Sequence, residues 1–92
     1  MDRLTLAEAL VDAVREIQQH SCRPLPGTLD STTKPLRDLV GFDSLNCLEV
    51  EVLLSARLKT EISNIPFWDT KERRALPIHE IVDRLCKAEE YE

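Results

Sequence analysis

Asp43-Ser44-Leu45-Asn46-Cys47-Leu48-Glu49-Val50-Glu51-Val52-Leu53-Leu54-Ser55-Ala56-Arg57-Leu58 is the stretch that decides how this chain folds. Its apolar residues recur every three or four positions, which predicts a helix over residues 44–58 with Asp43 as N-cap and Asn46 at the third helical position. On a wheel of about 100° per residue with Leu45 as zero, Cys47, Val50, Leu54 and Leu58 gather between roughly 140° and 220°. Leu45, Leu48 and Val52 gather on the opposite side, between roughly 300° and 360°. A helix in a small bundle buries one stripe, so the second stripe needs a reason. Either the helix is covered on both sides, or the ridge Leu45-Leu48-Val52 stays exposed and docks other proteins through its i, i+3, i+7 anchors. Glu49 and Lys59 border that ridge on the wheel and are placed to steer an approaching partner.

Outward from this helix the chain reads as further helices joined by irregular segments. Leu6, Leu10, Val14 and Ile17 mark one face of a first helix, with a capping-box start at Thr5 and Glu8 and an end near His20-Ser21. Residues 22–42 hold three prolines, both glycines and the cluster Asp30-Ser31-Thr32-Thr33, which predicts a long loop. Leu29, Leu36, Leu39 and Val40 are its candidate pins to a core. After residue 60, Asp69 and Glu72 repeat the capping-box spacing and predict a short helix ending before Pro77. Pro77 then opens a last helix with the apolar face Ile78, Ile81, Val82 and Leu85, and Glu89-Glu90-Tyr91-Glu92 reads as a frayed acidic tail. Three longer helices, one short helix and no convincing strand predict a single all-α domain over residues 1–92, a small four-helix bundle with a long loop between its first two long helices.

Composition narrows the function classes. At 92 residues one core is filled and one site is sought. No run approaches the about 20 apolar residues that span a bilayer, and Met1-Asp2-Arg3-Leu4-Thr5 lacks a signal-peptide pattern, so a cytoplasmic location is expected. Cys22, Cys47 and Cys86 are an odd number without CxxC spacing, which reads as reduced thiols rather than disulfides or a zinc site. The net charge of -5 disfavours a nucleic-acid backbone as partner, and the one basic cluster, Lys71-Arg73-Arg74, is short.

Ser44 falls in the first turn of the decisive helix, between its two stripes. With Asp43 as the cap, the Ser44 hydroxyl is free to point outward. The partial positive charge and unpaired N–H groups of a helix start suit a phosphate or phosphodiester, although serine is common at helix starts for capping alone.

The stretch Pro35-Leu36-Arg37-Asp38-Leu39-Val40-Gly41-Phe42-Asp43-Ser44-Leu45, with the helix that follows it, resembles the acyl carrier protein family. In that family an Asp-Leu pair and a glycine precede an Asp-Ser-Leu attachment motif that opens a helix. Thr60-Glu61-Ile62 and the segment 78–85 resemble later parts of the same pattern, so the likeness covers nearly the whole chain. It implies a four-helix bundle without catalysis of its own. Ser44 would carry a covalent 4′-phosphopantetheine arm, transferred from coenzyme A by a phosphopantetheinyl transferase, and the arm's thiol would hold acyl groups as thioesters. Asp43 would serve as helix cap and transferase contact, while Leu45, Leu48, Glu49 and Val52 match positions that face partner enzymes. Cys47, Val50, Leu54 and Ile62 either line a shelter for the acyl chain or are ordinary core. The expected partners are acyl-loading and acyl-processing enzymes of fatty-acid, polyketide or specialised lipid synthesis, met by a monomer.

Two departures refine the likeness. Val40 stands between Leu39 and Gly41, where family members place the glycine directly after the Asp-Leu pair. Asn46, Ser55, Ala56, Arg57 and Lys59 interrupt the acidity that bulk fatty-acid carriers show along this helix, which points to a specialised member with dedicated partners. Phe67 and Trp68, half of the chain's aromatics, either complete the core or shape a partner surface or acyl pocket.

Rival functions fit less of the chain. An enzyme using Ser44 as nucleophile needs a base, yet there is no G-x-S-x-G elbow, and nothing in the sequence brings His20 or His79 to the serine. An unmodified helical interaction module shares the charge and the ridge, and only the intact Asp43-Ser44-Leu45 argues against it.

Overall fold

The computed structural model describes residues 2–90. Three longer helices dominate: α1 over Arg3–His20, α3 over Ser44–Leu58 and α4 over Ile78–Glu90. A four-residue helix, α2, spans Pro35–Asp38, and two short strands, β1 (Trp68–Asp69) and β2 (Arg74–Ala75), pair between α3 and α4. The described chain is thus mostly helical, with one small hairpin.

The first helix starts before the residue its capping-box pattern favours. Asp2 is the N-cap, and its Oδ2 accepts from the Thr5 amide at 3.3 Å and the Thr5 hydroxyl at 3.2 Å. Nothing in Arg3-Leu4-Thr5 opposes helix, so the earlier aspartate takes over the capping that Thr5 and Glu8 were expected to perform. At the other end Cys22 adopts the left-handed conformation, with φ +53°. Its amide bonds to the Gln19 carbonyl at 3.0 Å, and the Arg23 amide bonds to the Gln18 carbonyl at 2.9 Å. These two bonds form a Schellman closure.

The long loop holds more structure than its composition predicts. Pro35 sits at the first position of α2 and is buried. Asp30 Oδ1 accepts from the Thr32 amide at 2.8 Å and the Thr32 hydroxyl at 2.6 Å, which makes the Asp-Ser-Thr-Thr cluster a local turn. The Thr33 and Ser31 carbonyls then accept from the Ile78 and His79 amides, at 3.0 and 2.9 Å, so loop backbone caps the start of α4. Leu39 is buried and Leu29 and Leu36 pack on the core, but Val40 is 60% exposed and is no pin.

The short helix expected at residues 69–76 is instead the hairpin. Asp69 Oδ1 accepts from the Lys71 and Glu72 amides, at 2.8 and 3.0 Å, which is the bonding an N-cap makes, but the turn is not propagated. Arg73, with φ +53°, reverses the chain, and Trp68 pairs with Ala75 and Asp69 with Arg74. Arg84 of α4 holds the outer Asp69 oxygen at 2.6 Å. Pro77 precedes α4 rather than opening it, and its carbonyl accepts from the Ile81 amide at 3.1 Å. Backbone at Glu89 and Glu90 is helical, while residues 91 and 92 of the expected acidic tail lie outside the described residues.

One apolar core joins these elements. Leu6, Leu10, Ala13, Val14 and Ile17 of α1 meet Val50 and Leu54 of α3, and Ile78, Ile81, Val82 and Cys86 of α4. Leu39, Phe42, Ile65, Phe67 and Leu76 close it from the loops, and Leu85 packs at its margin. α1 packs against both α3 and α4. Ion pairs tie the same helices at their edges, Glu16 with Arg57 and Arg3 with Asp83. Burial of each large apolar side chain here contributes about 1.5–3 kcal/mol.

Candidate functional site

The start of α3 is built by a reciprocal cap. Asp43 Oδ1 accepts from the Leu45 amide at 3.1 Å and the Asn46 amide at 3.2 Å, while Asn46 Oδ1 accepts from the Asp43 amide at 3.1 Å. With the cap occupied by Asp43 and Asn46, Ser44 is exposed at the first helical position. Among the described residues no hydrogen bond engages its hydroxyl. His20 lies at the end of α1 with Nε2 3.7 Å from a Glu16 oxygen, and His79 lies in the first turn of α4.

Beside Ser44 the apolar ridge of α3 faces outward. Leu45, Leu48 and Val52 are 65%, 58% and 70% exposed, whereas Val50 and Leu54 on the opposite stripe are fully buried. The physical reason is that α1 covers α3 along that inner stripe. Glu49 is exposed and its Oε1 accepts from Asn46 Nδ2 at 2.9 Å, so this carboxylate is tied to the capping box as well as to the ridge. An open groove runs beside the ridge, lined by Glu16, Ile17, His20, Glu49, Val52 and Leu53. Lys59 takes the left-handed cap position that ends α3, with φ +52°.

The residues considered for sheltering an acyl chain occupy different depths. Val50 and Leu54 are in the central core, and Cys47 and Ile62 are half-buried at its edge. Burial pushes the Cys47 thiol up to about 11, with the charges of Asp43 and Glu51 adding to the effect. Cys22 is exposed and Cys86 buried, and all three cysteines are free thiols. Ile62 is anchored by its backbone, since Ser55 Oγ donates to the Ile62 carbonyl at 3.2 Å and accepts from its amide at 3.0 Å. Glu51 accepts from the Ile65 amide at 3.2 Å and fastens the following segment to α3.

Phe67, just before β1, and Trp68, its first residue, point to opposite environments. Phe67 is buried and its ring tilts against Phe42, two residues before Ser44, with centroids 5.8 Å apart. Trp68 is 48% exposed. The basic cluster also divides, because Arg74 is bound to Glu72 and Glu80, at 2.6 and 2.8 Å.

Sequence patterning missed the side chains beneath the Ser44 turn. Gln18 is completely buried, with Nε2 donating to the Val40 carbonyl at 2.9 Å, so the backbone just before Gly41 is met by a dedicated donor. Arg23 Nη1 donates to Asn46 Oδ1 at 3.0 Å and to Gln18 Oε1 at 3.4 Å. One signal was present: Gln18 follows Val14 by four positions and therefore lies on the buried side of α1, where a polar residue needs partners.

Among the described residues no helix is long and apolar enough to cross a membrane. Comparison with protein-family models, curated proteins and solved structures finds no match to this chain.

Proposed function

We propose that this chain is an acyl carrier protein, holding acyl intermediates as thioesters on a 4′-phosphopantetheine arm attached to Ser44. More narrowly, it is a specialised carrier that presents them to a dedicated set of enzymes in fatty-acid, polyketide or specialised lipid synthesis. The observation that carries this reading is the exposed Ser44 hydroxyl, engaged by no hydrogen bond among the described residues, in an Asp-Ser-Leu sequence at a helix start whose capping is done by Asp43 and Asn46. A serine there for capping alone would be bonded to its own helix.

The chemistry asked of the chain is modest. The Ser44 oxygen attacks the β-phosphorus of coenzyme A in the transferase's active site, forming a phosphodiester and releasing adenosine 3′,5′-bisphosphate, while the hydroxyl proton passes to the enzyme's base. The helix start suits the resulting negative phosphodiester. Acyl groups then reside on the arm's terminal thiol. The ridge Leu45-Leu48-Val52 supplies apolar contact for the transferase and later enzymes, with Glu49 beside it for basic side chains. Incubation with coenzyme A and a broad-range phosphopantetheinyl transferase tests the reading: one arm is added to the native chain and none to Ser44→Ala.

The exposed ridge also favours the second reading, an unmodified helical interaction module. Under it, the native chain gains no arm from any of several transferases, and Ser44→Ala binds partners unchanged.

A further inference from the structure

The turn that presents Ser44 is held from below by a side chain outside the attachment motif, and we infer that Arg23 is a positioning residue that locks residues 40–46 in the shape a modifying enzyme must meet. The function of that lock rests on the reading of Ser44 as the attachment point.

Arg23 is placed by the end of α1. The Schellman closure fixes its backbone through the Gln18 carbonyl, so its side chain leaves the helix end in a set direction. Its Nη1 bonds both Asn46 Oδ1 and Gln18 Oε1. Asn46 Oδ1 is the atom that accepts from the Asp43 amide, so the guanidinium holds the acceptor on which half of the capping box depends. Gln18 in turn holds the Val40 carbonyl on the other side of the turn. One guanidinium therefore reaches both flanks of Phe42-Asp43-Ser44.

Gly41 completes the lock. It has φ +73°, and a Cβ built there would lie 2.9 Å from Arg23 Nε and 3.1 Å from Cδ and Cζ. The arginine side chain thus takes the space a Cβ at position 41 would need. A lysine at position 23 retains a charge, but it lacks the planar guanidinium whose Nη1 donates to both acceptors while its Nε and Cζ lie against Gly41.

Releasing the turn lets it sample several shapes, of which one is competent. Apparent affinity then falls by the competent fraction, while turnover from the bound complex is unchanged. The test compares the native chain with Arg23→Met, which keeps the apolar stem and removes the donors, and with Arg23→Lys. Amide hydrogen exchange and steady-state loading by a broad-range transferase with coenzyme A are measured on each. In Arg23→Met, exchange at Asp43, Leu45 and Asn46 is expected to quicken about tenfold while core amides of α1 and α4 are unchanged. KM for the chain is expected to rise about tenfold with kcat within twofold, and Arg23→Lys to fall between.

Gly41→Ala adds an independent check. Its effect on KM is expected to be smaller in the Arg23→Met background than in the native chain. Unchanged exchange at Asp43, Leu45 and Asn46 would overturn the lock, as would a fall in kcat at constant KM or uniform loss of protection. A native chain that gains no arm while Arg23→Met still quickens local exchange would overturn the Ser44 reading and leave the lock standing.

Discussion

Asp43 and Ser44 are adjacent, yet Asp43 bonds the helix start while no hydrogen bond engages the Ser44 hydroxyl among the described residues, and this difference can be measured. Asp43→Ala removes the acceptor for two amides and is expected to lower stability by about 1 kcal/mol in urea unfolding. Ser44→Ala, which breaks no bond within the described residues, is expected to stay within about 0.5 kcal/mol of the native chain. The cysteines supply a second residue-scale prediction. A thiol pushed up to about 11 is deprotonated to about one part in ten thousand at pH 7, so Cys47 is a poor nucleophile. Alkylation at pH 7–8 followed by peptide mapping is expected to label exposed Cys22 first and Cys47 far more slowly. Equal labelling would contradict the burial that raises the Cys47 thiol.

At the scale of elements, the hairpin carries a pH dependence. Asp69 is held down to about 2, first by the Glu72 amide and next by the Arg84 guanidinium, with the Lys71 amide adding to them. Because this folded value lies below the ordinary value near 3.9, its contribution is complete above about pH 4 and is lost as pH falls towards about 2. Urea unfolding between pH 2 and 5 is expected to show a steeper acid loss for the native chain than for Asp69→Asn; parallel curves would remove Asp69 from that account. The same hairpin shows where sequence patterning stopped. Asp-x-x-Glu spacing specifies an aspartate that gathers the next amides, and that motif serves a tight turn as well as a helix start. Arg73 in the left-handed region gave no warning, because arginine is not a residue that marks such a position. By contrast, α3 was legible at both ends, since Asp43 and Asn46 supply the start and the apolar period runs unbroken to Leu58.

At the scale of the whole molecule, α1 is the helix shared by both long-helix packings, and this leaves the outer ridge of α3 facing water. The wheel identified the two stripes but left open whether the ridge Leu45-Leu48-Val52 would be covered as well, because coverage depends on how α1 and α4 are arranged. Two substitutions on one helix separate packing from surface. Leu54→Ala is expected to cost about 2–5 kcal/mol by opening the core, and Leu48→Asp less than about 0.5 kcal/mol, both measured by urea unfolding. Leu48→Asp is nevertheless expected to raise the transferase KM, whereas an unchanged KM would remove the ridge from the docking surface. The candidate site was partly legible in the same way. Ser44, Asp43 and the ridge follow from motif and period, while Arg23 and Gln18 act through contacts that only the folded chain brings together. The measurement that bears most directly on the central claim is mass spectrometry of the intact chain and its Ser44 peptide after reaction with coenzyme A and transferase. The account predicts addition of one phosphopantetheine, located on Ser44 and ending in a free thiol. An unmodified chain with several transferases, or an arm on another residue, would contradict it.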